Sequence, residues 1–128
     1  MPKQTLQLLN DQFTIHSFAY NDEIPSQVLR APIFFIGKTF EELSIVCPSD
    51  ITVDSLEHEA GWMALEVLGP LAFSLTGIMS QISGVLADAG ISIFAISTFD
   101  TDYILVKEEV VTKAVEALRK NDYKVVTS

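Results

Sequence analysis

Two stretches of this chain match without a gap: FFIGKTFEELSIVC (Phe34–Cys47) lies over IFAISTFDTDYILV (Ile93–Val106) at an offset of 59 positions. At that offset Phe35/Phe94, Thr39/Thr98, Phe40/Phe99 and Ile45/Ile104 are identical, and acidic Glu41 faces Asp100. Upstream, Leu6–Leu9 lies over Leu65–Leu68, and one residue slipped, Phe13–Ile15 lies over Phe73–Leu75. Such a repeat points to a tandem of two related modules. Pseudo-symmetric modules pack flank to flank and present equivalent loops to each other, which favours a site between like surfaces.

With 128 residues, 48% of them hydrophobic, the chain can fill one core but is short for two independent ones, so the modules are expected to share a sheet or a core. Eight basic against 17 acidic residues give a net charge of −9. That field repels phosphate backbones and anionic lipid heads, which argues against a nucleic-acid or membrane partner. No apolar run reaches the roughly 18 to 20 residues of a membrane span, and the polar start MPKQTLQLLNDQ has no signal-peptide core, so the expected location is cytoplasmic. The single cysteine, Cys47, permits no internal disulfide and agrees with a reducing compartment.

The second half alternates between strand and helix signals. Trp62–Val67 sets Met63, Leu65 and Val67 against Trp62, Ala64 and Glu66, the period of a strand with one buried face, and Gly69-Pro70 ends it. From Gly77 to Ala89 the apolar residues Ile78, Ile82, Val85, Leu86 and Ala89 recur at helical steps, with Ser74 or Thr76 as N-cap and Gly90 as stop. Ile91–Ser97 and Asp102–Lys107 read as strands joined by a tight turn. Glu108–Lys120 reads as a second helix with Val111, Ala114, Val115 and Leu118 inward, acids first and Arg119 and Lys120 last. Tyr123–Val126 closes the unit as a strand. The order is βαββαβ, an α+β ferredoxin-like unit with two helices on one face of an antiparallel sheet.

The first half keeps the strands and weakens the helices. Pro25 and Pro32 interrupt the first expected helix, and Pro48–Gly61 is too short and too rich in Asp and Ser for a helix plus a strand. Ile51–Glu59 reads mainly as a strand that turns at Ala60-Gly61 into Trp62. The expectation is a rudimentary module over residues 1–60 and a complete one over 61–128.

Reactive groups are few. His16 and His58 have no ligand spacing to each other or to Cys47, and no zinc, P-loop, Rossmann or nucleophile-elbow pattern occurs, so neither metal nor cofactor is expected. Cys47 aligns with apolar Val106 and reads as core. His16 aligns with Thr76, at the head of the helix the first half lacks, and reads as a loop histidine.

Two features could still serve a ligand, and a third could serve close packing. The loop Gly69–Ile78 joins a strand end to a helix start; it either holds a carboxylate on free backbone N–H groups near Gly77 or is an ordinary capped turn. In Ser97–Asp102, Thr98, Asp100 and Asp102 bring acceptors to a turn, where they either meet an ammonium group or satisfy turn amides. The repeat makes part of that motif structural, since Thr39 and Phe40 copy Thr98 and Phe99, whereas Asp102 stands opposite Leu43 and is the candidate functional acid. A small-residue stripe, Gly77, Ser80, Gly84 and Ala87, implies close approach by either a helix of a second subunit or a neighbouring strand.

From GPLAFSLTGI through AGISIFAISTFDTDYILVKEE the chain resembles the ACT-domain superfamily, in the form of a small bacterial protein with two tandem ACT repeats and a rudimentary first one. It is similar to the ACT modules of aspartate kinases and of the CASTOR arginine sensors. The resemblance implies a non-catalytic regulatory protein, a homodimer that binds a free amino acid at an interface between ACT modules. It also implies the ligand contacts: Phe73, Ser74, Leu75, Thr76, Gly77 and Ile78 from the loop, Thr98, Phe99 and Asp102 from the turn, and Ser92 and Ile93 from the facing strand of a second subunit. Ser74 and Leu75 stand where the sensors' loop is acidic, which favours a smaller or less basic amino acid than arginine. The alternative function is a protein-interaction subunit that docks a partner enzyme without a ligand.

Overall fold

The computed structural model describes residues 3–68 and 77–127. In chain order the strands are β1 (Thr5–Phe18), β2 (Phe35–Lys38), β3 (Leu43–Pro48), β4 (Glu57–Val67), β5 (Phe94–Ser97), β6 (Asp102–Lys107) and β7 (Lys124–Thr127). The helices are α1 (Ser26–Leu29), α2 (Ile78–Asp88) and α3 (Val111–Lys120), the last entered through a 3-10 turn at Glu108–Val110. The chain divides into a larger unit, residues 1–10 with 63–128, and a smaller one, residues 11–62, so the division falls inside β1 and β4.

In the larger unit the βαββαβ order holds from the end of β4 to β7, with β5 antiparallel to β6. Leu65 and Val67 of β4, Ile104 and Val106 of β6, Ile82 and Leu86 of α2, and Ala114, Val115 and Leu118 of α3 share one core. The helical steps read in the sequence therefore select the buried faces. Gly90 ends α2 at φ +75°, as the stop signal requires.

Several expectations need correcting. The strand over 62–67 buries both faces, because Trp62 and Ala64 are buried along with Leu65 and Val67. Ser74 and Thr76 lie outside the described residues, and the cap position of α2 is held by Gly77 in the left-handed region (φ +79°) with no side-chain cap. Only Phe94–Ser97 of the expected 91–97 strand pairs, leaving Ser92 and Ile93 ahead of it. Finally, β7 lies parallel to β1, with Thr5 against Lys124 and Leu8 against Thr127, so the first residues of the chain form part of this unit's sheet.

The smaller unit has β1 antiparallel to β3 and β3 antiparallel to β2. Phe18, Val28, Leu43, Ile45 and Cys47 form its core, with Ile24, Phe34, Ile51 and Val53 packed on it. The prolines cut the expected helix to the four residues of α1, with Pro25 at its cap. Residues 51–56 are not a strand: Ile51 and Val53 turn to the core while backbone and side chains bond elsewhere. The strand begins at Glu57 and runs through Ala60-Gly61, where Gly61 takes φ +83° and the strand continues instead of turning. His16 is a β1 residue, 6% exposed, and not a loop histidine.

The two hairpins share one register. Phe35 pairs Val46 and Lys38 pairs Leu43, while Phe94 pairs Leu105 and Ser97 pairs Asp102, each 59 positions on.

Candidate functional site

The β5–β6 hairpin of the larger unit holds three of the expected ligand contacts. Its turn closes with Thr98 N–H donating to Thr101 O at 2.8 Å, and Thr98 Oγ1 both donates to Thr101 O (3.1 Å) and accepts from Thr101 N–H (3.3 Å). Thr98 is thus spent on the turn. Its counterpart Thr39 does the same work, accepting from the N–H groups of Glu41 and Glu42 at 3.1 Å each. Phe99 projects from the tip, 79% exposed, and its counterpart Phe40 is 98% exposed.

Asp102 opens β6 directly across from Ser97, and its Oδ1 accepts from Ser97 Oγ at 2.6 Å. A carboxylate has two oxygens and several acceptor directions, so one short bond fixes its orientation and leaves capacity for an ammonium donor. In the smaller unit the same hairpin position is Leu43, buried in the core, and offers no such acceptor.

The hairpin is laced to the end of β4. Thr101 Oγ1 donates to Val67 O, and Tyr103 Oη donates to Glu66 Oε2 at 3.4 Å. Burial, the Glu66 charge and that bond hold the Tyr103 hydroxyl above its usual range, so it stays a donor. Sequence reading missed this bracing. Ser97 could have been found from the four-residue turn, which sets it opposite Asp102; Glu66 and Val67 could not, because their partners depend on the register of strands far apart in sequence.

Of the loop contacts, Phe73, Ser74, Leu75 and Thr76 lie outside the described residues. Gly77 is exposed, and its carbonyl accepts the first helical bond from Gln81 N–H at 2.8 Å. Ile78 is packed against the core, Ser92 is exposed and Ile93 is half-buried on the core. Gly77 and Ile78 thus stand at the start of α2, and Ser92 and Ile93 just before β5, while Thr98, Phe99 and Asp102 share one turn.

The stripe Gly77, Ser80, Gly84 and Ala87 is exposed, and a Cβ added to Gly84 would meet nothing within 4 Å among the described residues, so no described strand packs closely there. Cys47 is fully buried, and burial followed by the Asp50 charge pushes its thiol upward, as expected of a packing residue. Among the described residues no three His, Cys, Asp or Glu side chains converge to hold a metal ion, and no helix is long and apolar enough to cross a membrane.

Proteins of known sequence and structure resemble this chain. It is 40% identical over 74 residues to the human cytosolic arginine sensor for mTORC1 subunit 1; the match covers 57% of this chain and spans 22% of the sensor's length. The crystal structure of protein Atu0741 from Agobacterium tumefaciens superposes with a TM-score of 0.91 at 32% identity, covering 100% of this chain and 96% of that one. The regulatory subunit of aspartate kinase from Thermus flavus shares the fold, with a TM-score of 0.66 at 10% identity over 94% of this chain and 98% of that one. The ACT domain profile matches residues 57–120, half of the chain, and the chain belongs to the ACT domain family.

Proposed function

We propose that this protein is a non-catalytic regulator that binds a free amino acid where ACT modules of two copies meet. The observation that supports this reading best is Asp102, a half-buried carboxylate oriented by Ser97, on a hairpin braced to the strand end from which the loop departs. In this reading backbone N–H groups from Phe73 to Ile78 take the ligand carboxylate, Asp102 takes the ammonium, Thr98 and Phe99 shape the turn, and Ser92 and Ile93 of the second copy close the seam. The shared 59-residue hairpin register supports a tandem of ACT modules with a rudimentary first copy. The relatives named as an arginine sensor and as a kinase regulatory subunit favour regulation over catalysis. The absence of acid at Ser74 and Leu75 favours a small or weakly basic amino acid in a cytoplasmic pool.

Calorimetry across the twenty amino acids tests the reading. One or a few should bind with about 5 to 8 kcal/mol, micromolar to high-micromolar affinity. Asp102→Asn should weaken that binding at least tenfold while the unfolding midpoint holds. If no amino acid binds, and the substitution alters only stability, the reading is wrong.

A second reading rests on Phe40, 98% exposed at a hairpin tip with no ligand role. An aromatic ring left in water suits a protein-docking surface. In that case a pull-down recovers a stoichiometric partner whether or not amino acids are added.

A further inference from the structure

Among the described residues two polar side chains are buried, Thr14 and His16, each 6% exposed. They sit two apart on β1, on the face that carries Phe18, and both spend their side chains on the connection between β3 and β4. Thr14 Oγ1 bonds Ser49 Oγ at 2.8 Å, and His16 Nδ1 bonds Ser55 Oγ at 2.9 Å. The same connection is fixed by Ser49 N–H to Gln12 O at 2.8 Å, Leu56 N–H to Ser17 O at 2.9 Å and Gln27 Nε2 to Thr52 O at 3.0 Å. Ile51 and Val53 press from it onto Phe18, Val28, Leu43, Ile45 and Cys47. It is therefore a strap, tied at both ends to one strand and carrying no helix or strand of its own over 51–56.

We propose that residues 49–56 form a proton-released strap over the core of the smaller unit, with His16 as its latch. The His16 ring lies 5.9 Å from that of His58 and 6.2 Å from that of Phe18, so a second proton would place charge against apolar surface and beside another imidazole. The titratable groups nearby are Glu57, His58 and Glu59 on β4 and Glu42 ahead of β3, which line a groove of about 400 Å³ with His16, and Asp50 and Asp54 within the strap. The glutamates favour a protonated ring, but they face an open groove where water screens them. Burial first, and His58 second, win and hold the imidazole below its usual range.

The direction follows from linkage. Once the strap opens, His16 is hydrated and takes a proton near the ordinary 6.5; closed, it takes one only at lower pH. Opening is thus independent of pH above about 6.5, rises as pH falls by at most tenfold per pH unit, and levels off below the closed-state value.

Cys47 beneath the strap is the reporter, being fully buried when the strap is closed. Its rate of reaction with 4,4′-dithiodipyridine, divided at each pH by the rate for the urea-unfolded chain, gives the opening constant. In wild type that ratio should climb several-fold between pH 7.5 and 5.5, with a urea dependence well below that of global unfolding. Ser55→Ala should raise the ratio at every pH, and His16→Asn should flatten the pH response; should His16→Asn not fold, His58→Gln should leave the onset in place, move the levelling-off to higher pH and lower the total rise. A flat wild-type ratio, a urea dependence equal to global unfolding, or an unchanged pH response in a folded His16→Asn protein would overturn the proposal.

Discussion

Gly61 and Asp102 illustrate how far single residues could be read. Glycine after alanine in a chain of short strands suggests a turn, yet Gly61 holds φ +83° inside β4, with no heavy atom within 4 Å of the place a Cβ would occupy. Its requirement is backbone alone, so Gly61→Ala should cost about 1 to 2 kcal/mol in urea unfolding, and larger side chains little more. The sequence could signal that a special conformation was needed here but not which one, because left-handed φ serves turns and bulges alike. Asp102 was legible for the opposite reason: the repeat supplies a comparison within one chain, and an acid opposite buried Leu43 departs from it. His16 was not legible. Its neighbour Ser55 is 39 positions away, and nothing local marks a histidine on a strand as a tether.

At the scale of elements, periodicity located α2 and α3 because each has a single apolar face against a core. It misplaced residues 51–56, whose apolar Ile51 and Val53 alternate as in a strand although the segment bonds to β1 through Ser49 and Ser55. The pairing of β7 with Thr5–Leu8 was also invisible, since a parallel ladder between chain ends leaves no local pattern. Helix α2 carries a glycine in its interior with open space around it, and Gly84→Ala should raise the unfolding free energy by about 1 kcal/mol in dilute solution. If a second copy packs on this stripe, as the dimer reading requires, sedimentation of the same variant will show weaker self-association.

For the molecule as a whole, a net charge of −9 means that like charges oppose compaction. Raising sodium chloride from about 10 to about 300 mM should therefore lift the thermal midpoint, and its failure to do so would show that the acids are locally compensated. A cognate amino acid at about a hundred times its dissociation constant should add about 2.7 kcal/mol to unfolding, an increment that falls to about 1.4 kcal/mol or less in Asp102→Asn at the same concentration. The twin hairpins give these experiments an internal standard. Thr39→Val and Thr98→Val each delete the hydroxyl that ties a turn, at about 1 kcal/mol apiece. Whatever the second substitution changes beyond the first reports recognition rather than folding, so the hairpin of matching register carries the calibration within the same chain.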